Sequence, residues 1–458
     1  MDRPAVPDPL AAERLVHPSS LQRCVPSQRD RETSLHSCWE HSMSLAELID
    51  QPEFGHHEAP RQQTRRVLLL GNDDRVLLAV ARGLGRNGIS IDVAWCDPDS
   101  PALKSQYVHA FHSVTPYTPH DDQWLDALHR LVKQYDYDLV IPCNDYAVVP
   151  LQLEREKLDP DTHWYLINDN AFQVAFDKAK TSRLATELGI KVPRECEITD
   201  ADLQAGFSNR EYHLIDRRSL RFPVYVKPRS SITASDVTNK RAAQRVDSPD
   251  ALAEYLIHEF PDDGVLIQES FLGVGIGVEI LAHQGQVLMQ IQHQRLRETI
   301  DGGSTYRETI DEIPELTEAT RKLVQHFNYT GVGMFEFRYN RETGDWVFLE
   351  INARFWGSLP LAIAAKANFP FALYELLVKG QTNFHTNHTI GIRCRNLLND
   401  LRAFRHQKAE EFELENLLFG KDYLDFYAPD DWRPQLATLV NFARSVLGKF
   451  TRRIGFSV

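Results

Sequence analysis

The stretch from Gly331 to Arg354 holds the residues best placed to do chemistry. It reads as two strands joined through Arg341-Glu342-Thr343-Gly344-Asp345, and pairing about Thr343 sets Glu336 directly opposite Glu350. Side chains alternate between faces, so Met334, Glu336 and Arg338 share one face with Phe348, Glu350, Asn352 and Arg354. Phe335, Phe337, Val347, Leu349 and Ile351 take the other, toward the core. Two carboxylates facing each other across a ladder repel. A divalent cation removes the repulsion, and Glu336, Glu350 and Asn352 are hard oxygen ligands suited to magnesium with bound phosphates. Two solvated glutamates on an exposed face is the plainer account. Trp356, the apolar run after it and the Glu-x-Asn-x-Arg pattern argue instead for burial.

Lys227 ends the apolar run Val224-Tyr225-Val226. Beside an oxygen-rich metal site it becomes a candidate phosphate ligand, acting as a point charge. Lys178 lies in a helical stretch and by itself reads as a surface lysine. Gln268-Glu269 leads into Gly273, Gly275 and Gly277; a strand entering a glycine-rich bend suits a hinge whose backbone meets an adenine edge, although any strand-turn-strand could look this way. Arg295 and Arg297 fall on one face if their strand continues, facing an anionic substrate with the following Gly302-Gly303-Ser304 turn as a flap. A solvated arginine pair is the other account.

Four of these features together resemble the ATP-grasp superfamily: Asp177-Lys178; Val224 to Pro228; Gln268-Glu269; and Phe335-Glu336-Phe337 followed by Leu349-Glu350-Ile351-Asn352-Ala353-Arg354. Their order is similar to the branch near the carbamoyl-phosphate synthetase large subunit and carboxylate-amine ligases, over residues 66–380. The resemblance implies an α/β and α+β chain: a parallel pre-ATP-grasp domain (63–169), then a two-subdomain ATP-grasp fold (170–380) with a lid at about 195–268. It implies ATP between two antiparallel sheets, with Lys178 and Lys227 on its phosphates and Gln268 and Glu269 at the adenine end. Glu336, Glu350 and Asn352 would hold one or two magnesium ions, or manganese, and Arg354 would face the γ-phosphoryl group. Lys227, Arg295 and Arg354 are the candidate catalytic residues. Two departures stand out. The loop from Arg229 to Ser235 has no glycine, and Gly275 stands where relatives often place a glutamate for the ribose.

The elements that must position these residues begin abruptly at Arg66. Val67 to Leu70 has the look of a buried parallel strand, followed by helical spacing over Val76 to Leu84. A strand over Ile91 to Trp95, a helix over Trp124 to Tyr135, a strand over Asp138 to Pro142 and a helix after Asp145 continue the alternation. That order predicts a parallel sheet covered on both faces. Gly83-Leu84-Gly85-Arg86-Asn87-Gly88 spells the dinucleotide fingerprint, but here the glycines close a helix rather than open one, so a cap and turn explain them. One helix is expected from Asn170 to about Leu188, then a strand-rich region from Tyr212 to about Gln292. A helix follows from Glu315 to Phe327. Residues 1–62, rich in polar residues and proline, read as a disordered extension with one short helix near Ser44 to Ile49. Residues 381–458 read as a separate, mostly helical extension.

Composition narrows the classes. The chain has 458 residues and a formal charge of −13, from 51 Lys and Arg against 64 Asp and Glu. That balance argues against a protein that coats nucleic acid, which needs a surplus of cations. The cysteines are scattered with no C-x-x-C pair, as free thiols in a reducing compartment would be. There is no apolar leader core and no long apolar run, so a cytoplasmic location is expected. Apolar residues at helical spacing from Trp432 to Ile454 predict a helix packed on its own domain rather than on a membrane. The chemistry expected is a ligase that activates a carboxylate with ATP and magnesium for attack by an amine, with small-molecule partners; a homo-oligomer is compatible. The alternative is an ATP-binding module without turnover, serving as a sensor or assembly partner. A dinucleotide oxidoreductase fails on the misplaced glycines.

Overall fold

The computed structural model describes residues 65–199, 202, 220–233, 235–259, 264–299, 303–384, 387–404 and 422–454. All belong to one compact unit, Gln63–Val458. The extension and short helix expected before residue 63 lie outside the described residues.

Four strands, β1 (Arg66–Leu70), β2 (Ser90–Ala94), β3 (Val108–His112) and β4 (Leu139–Pro142), form a parallel sheet in the order β3-β2-β1-β4. In β1, Val67 and Leu69 pack into one core with Val76, Leu77 and Val80 of the Asp74–Gly85 helix. Leu68 and Leu70 pack into another, with Trp124 and Leu128 of the Gln123–Tyr135 helix. Both faces are thus covered, which is why the strand reads as an unbroken apolar run. A side chain at Gly83 would strike Asn368 and Pro370, one at Gly85 would strike Tyr107, and Gly88 takes φ +75° in the turn. Packing and a turn account for these glycines.

The helix expected from Asn170 to Leu188 is two helices, Asp169–Ala175 and Lys178–Glu187. Asp177 breaks it: its side chain accepts from the Lys180 backbone N–H as the second N-cap. Next come β5 (Glu195–Ile198), β6 (Val224–Pro228), β7 (Gln244–Val246) and β8 (Val265–Glu269), an antiparallel sheet in the order β5-β8-β6-β7. Val224, Val226 and Ile267 bury one face against Leu252, Tyr255 and Leu256 of the Pro249–His258 helix. That helix interrupts the region expected to be strand-rich; Ser248 caps it and Pro249 opens it.

The largest sheet has seven strands: β9 (Val274–His283), β10 (Gln286–Glu298), β11 (Ser304–Ile310), β12 (Gly331–Tyr339), β13 (Trp346–Asn352), β14 (Arg393–Arg395) and β15 (Tyr423–Leu424), ordered β13-β12-β9-β10-β11-β14-β15. Leu316, Leu323 and Phe327 of the Pro314–Phe327 helix cover its core face. The last two strands come from the segment expected to be a separate helical extension. That segment is built into the sheet, and its Asp431 accepts from the buried Arg82 Nε at 2.9 Å. Its long helix, Arg433–Ile454, packs against the turn at Pro101–Lys104. Among the described residues no helix is long and apolar enough to cross a membrane.

Candidate functional site

The hairpin of β12 and β13 places Glu336 opposite Glu350 and Met334 opposite Asn352. Beyond Glu350 the register slips. Phe348, not Leu349, faces Phe337, and the two rings meet edge to face at 5.5 Å. Phe348 therefore joins the core side, leaving Leu349 part-exposed in the bulge. The slip leaves the glutamates where the alternation sets them.

Their surroundings are strongly charged. Arg295 Nη2 donates to Glu336 Oε2 at 2.5 Å, and Asn352 Nδ2 donates to Glu336 Oε1 at 2.9 Å. Arg354 donates to Asn352 Oδ1 at 2.9 Å and grips Asp145 with two hydrogen bonds, at 2.5 and 3.0 Å. Burial pushes the Glu350 carboxyl up, yet Lys178, Lys227, Lys240 and Arg295 outweigh it and hold the group below the usual carboxylate range. Burial likewise lowers the Lys178 and Lys227 ammonium groups, with Glu350 pulling both back. Removing either side of such an arrangement strands charge in a poorly solvated place.

All of these groups except Lys227 line a cavity of about 790 Å³. Lys178, Arg295, Glu336, Glu350, Asn352 and Arg354 are all in its wall. One side is the open face of the largest sheet. Another is the loop after β6, where Lys178 Nζ donates to Ser231 at 2.7 Å and Arg229 pairs with Asp177 at 2.6 Å. A third is the C-terminal edge of the parallel sheet, with Asp73 and Asp145 following β1 and β4. Lys227 adjoins the site electrostatically and shares a sheet face with Gln268, whose Nε2 donates to Glu195 at 2.6 Å. Glu269 stands apart. Its register opposite Val224 turns it to the other face, where it accepts from the Arg221 backbone N–H at 2.8 Å.

Residues 261–399 match the sequence model of a family described as ATP-grasp in the biosynthetic pathway with Ter operon. A stretch of 91 residues, 20% of the chain, is 33% identical to acetyl-CoA carboxylase 2 of Oryza sativa subsp. japonica. Among solved structures, N5-carboxyaminoimidazole synthetase of Staphylococcus aureus, complexed with ADP, matches 72% of this chain and 80% of its own, at 16% identity and TM-score 0.53. The biotin carboxylase domain of Hydrogenobacter thermophilus 2-oxoglutarate carboxylase, with MgADP, ADP and bicarbonate, matches 73% and 74%, at 13% identity and TM-score 0.53. The chain has the ATP-grasp fold. It spans 4% of the rice carboxylase and 30% of a Rhizobium etli pyruvate carboxylase of the same fold, which it matches at 16% identity, 69% coverage and TM-score 0.52.

Within this ATP-grasp fold, the expected arginine pair does not hold together. A bulge at Leu296 pairs Arg295 with Arg307 but Arg297 with Tyr306, so the two arginines leave opposite faces. Arg297 donates to buried Asp400 at 2.5 Å instead. Gly302, of the expected flap, lies outside the described residues. Gly275 and Gly277 form no bend; they lie within β9. A Cβ on Gly275 would come 2.7 Å from Arg295 Cδ, and one on Gly277 would come 2.2 Å from the His293 ring. The missing side chains let Arg295 cross β9 to Glu336 and bring His293 within 2.9 Å of buried Glu279. Sequence reasoning passed over Asp145, Lys240 and His293. Asp145 and His293 carried signals: a carboxylate just past a parallel strand, and a position two residues from Arg295 on the same face. Lys240 carried none.

Proposed function

We propose that the chain is an ATP- and Mg²⁺-dependent ligase that activates a carboxylate as an acyl phosphate for attack by an amine, releasing ADP and phosphate. The observation that carries this reading is the opposed pair Glu336 and Glu350 in a cavity wall rich in lysine and arginine. Among the described residues no group of three or more His, Cys, Asp or Glu side chains is placed to hold a metal ion by itself. Two carboxylates with the remaining ligands from phosphates suit magnesium, which rarely takes an all-protein cage. Glu336 and Glu350 would hold the ion, with Mn²⁺ fitting the same oxygens; the Asn352 amide oxygen already accepts from Arg354. The metal would neutralise phosphate charge as the phosphoryl group moves.

The chain's own residues supply position and charge. Lys178 and Lys227 are the candidate phosphate ligands, with Lys240 nearby. Arg354, fixed by Asp145, and Arg295, fixed by Glu336 and Glu298, would steady the developing charge at the transferred group. No covalent nucleophile is required, and burial pushes the Cys143 and Cys394 thiols well up. On this reading residues 63–169 are the pre-ATP-grasp domain, 170–380 the ATP-grasp domain with a lid at about 195–268, and 381–458 an extension that helps close the substrate end. The acid and amine are small molecules, and nucleic acid is not a partner.

One observation favours a binding module without turnover. The glycine-free loop after Lys227 is pinned, by Arg229 to Asp177 and by Ser231 to Lys178. A screen of paired carboxylates and amines, read by ADP formation, separates the two. Acceptor-dependent ADP release is expected; nucleotide binding with no turnover for any pair would favour the module.

A further inference from the structure

The largest sheet sets a second pair of like charges face to face. Arg295 of β10 pairs directly with Arg307 of β11, so both side chains leave the same face, and both line the cavity. Like charges so placed destabilise a ladder unless something negative lies between or beside them. Arg295 has Glu336 and Glu298. Arg307 has Asp425, delivered by the C-terminal segment.

Arg307 is 0% exposed, and its Nε–H has no hydrogen-bond partner. Its other nitrogens donate to Ser304 O, Cys394 Sγ and Asp425. A buried guanidinium with an unmade donor is expensive to keep. Tethering the C-terminal segment does not explain it, because that segment is already tied by Arg82 to Asp431 and by Tyr306 to Asp422. Nor does a tether need a place in the cavity wall. Arg295 reaches the glutamates of the proposed metal site, whereas Arg307 lies one strand further away. There Asn396, also in the wall, donates its backbone N–H to Thr305 O at 2.8 Å.

We propose that Arg307 is a substrate-binding residue which, with Arg295, clamps a non-reacting carboxylate of the organic substrate. The substrate is then a dicarboxylate or an amino acid rather than a plain acid or plain amine. This rests on the ligase reading above, since it treats the cavity as the place where acid and amine meet. An arginine fork suits a carboxylate through paired N–H donors in a way that a lysine does not.

The test uses the full chain with Mg²⁺ and a non-hydrolysable ATP analogue. Four probes are titrated by thermal shift: succinate against its monoamide, and glycine against glycinamide. The first pair places the extra carboxylate on the acid and the second on the amine, so the pair that responds identifies the source. At least one carboxylate probe should half-saturate at a tenfold lower concentration than its amide. Arg307→Lys keeps the charge facing Asp425, so a mere tether survives it. It should cut the discrimination below threefold and leave nucleotide half-saturation within twofold. If that variant does not fold, Asp425→Asn decides: a freed Arg307 should bind the carboxylate probe more tightly, whereas a tether predicts no change or weaker binding. Amides equal to acids in the wild type, discrimination retained in Arg307→Lys, or no response to any probe while the nucleotide binds would each overturn the proposal. Failure of the nucleotide itself to bind would instead remove the ligase reading beneath it.

Discussion

At the scale of single residues, the candidate site works by pairing. Glu350 keeps its charge because cations surround it, and Arg354 keeps its direction because Asp145 holds it at two points. Asp145 is therefore a positioning residue. Asp145→Asn should lower kcat about tenfold or more while moving the KM for ATP less than threefold, and Asp145→Glu should restore part of the loss; an unchanged kcat in steady-state ADP release would contradict this. The hairpin glutamates were legible because pairing about Thr343 matches the register on their side of the bulge at Leu349, although the strands nearer the turn pair one residue differently. Arg297 was misplaced for a reason just as local: a bulge one residue long inverts every face beyond it, and nothing in Gln294-Arg295-Leu296-Arg297 announces one. Glu269 lies on the sheet face away from Lys227. The strand was foreseen, but which face its last side chain takes depends on β6 beside it.

At the scale of elements, the parallel strands and the major helices were readable from apolar runs and 3.6-residue spacing. What stayed hidden was built from distant pieces. β14 and β15 are three and two residues long, and they become strands only because β11 offers an open edge. The glycines of β9 looked like a hinge because their use is clearance for side chains from the neighbouring strand. The turn at Asp430 and Asp431 binds the C-terminal segment to the Asp74–Gly85 helix. Asp431 is buried with Arg82, and removing one member of such a pair leaves the other stranded. Asp431→Ala should cost about 3 kcal/mol in urea unfolding; a loss under 1 kcal/mol would show the contact to be incidental. Exposed Asp430 behaves otherwise. Its hydrogen bond to Arg86 holds its carboxyl down at about 2. The stabilisation is present above the unfolded value of about 3.9 and is lost as pH falls toward 2. Melting temperature should then drop slightly less steeply between pH 4 and 2 in Asp430→Asn than in the wild type.

At the scale of the whole molecule, three pieces meet at one cavity: the edge of a parallel sheet, the loop of a small antiparallel sheet and the face of a large one. The C-terminal segment completes the large sheet rather than standing apart from it. The ATP-grasp fold was legible because lysines, Gln268-Glu269 and an acidic hairpin follow one another in order between residues 177 and 354. The substrate was not, because the walls that would choose it come together only on folding. Everything proposed depends on Glu336 and Glu350 sharing a metal-bound nucleotide. The most direct test is calorimetric titration of ADP into the wild type and Glu350→Gln, each with and without Mg²⁺. Magnesium-dependent binding in the wild type, weakened at least tenfold by the substitution while the melting temperature without ligand stays within a few degrees, is the predicted result. Equal affinity in all four titrations would contradict the assignment.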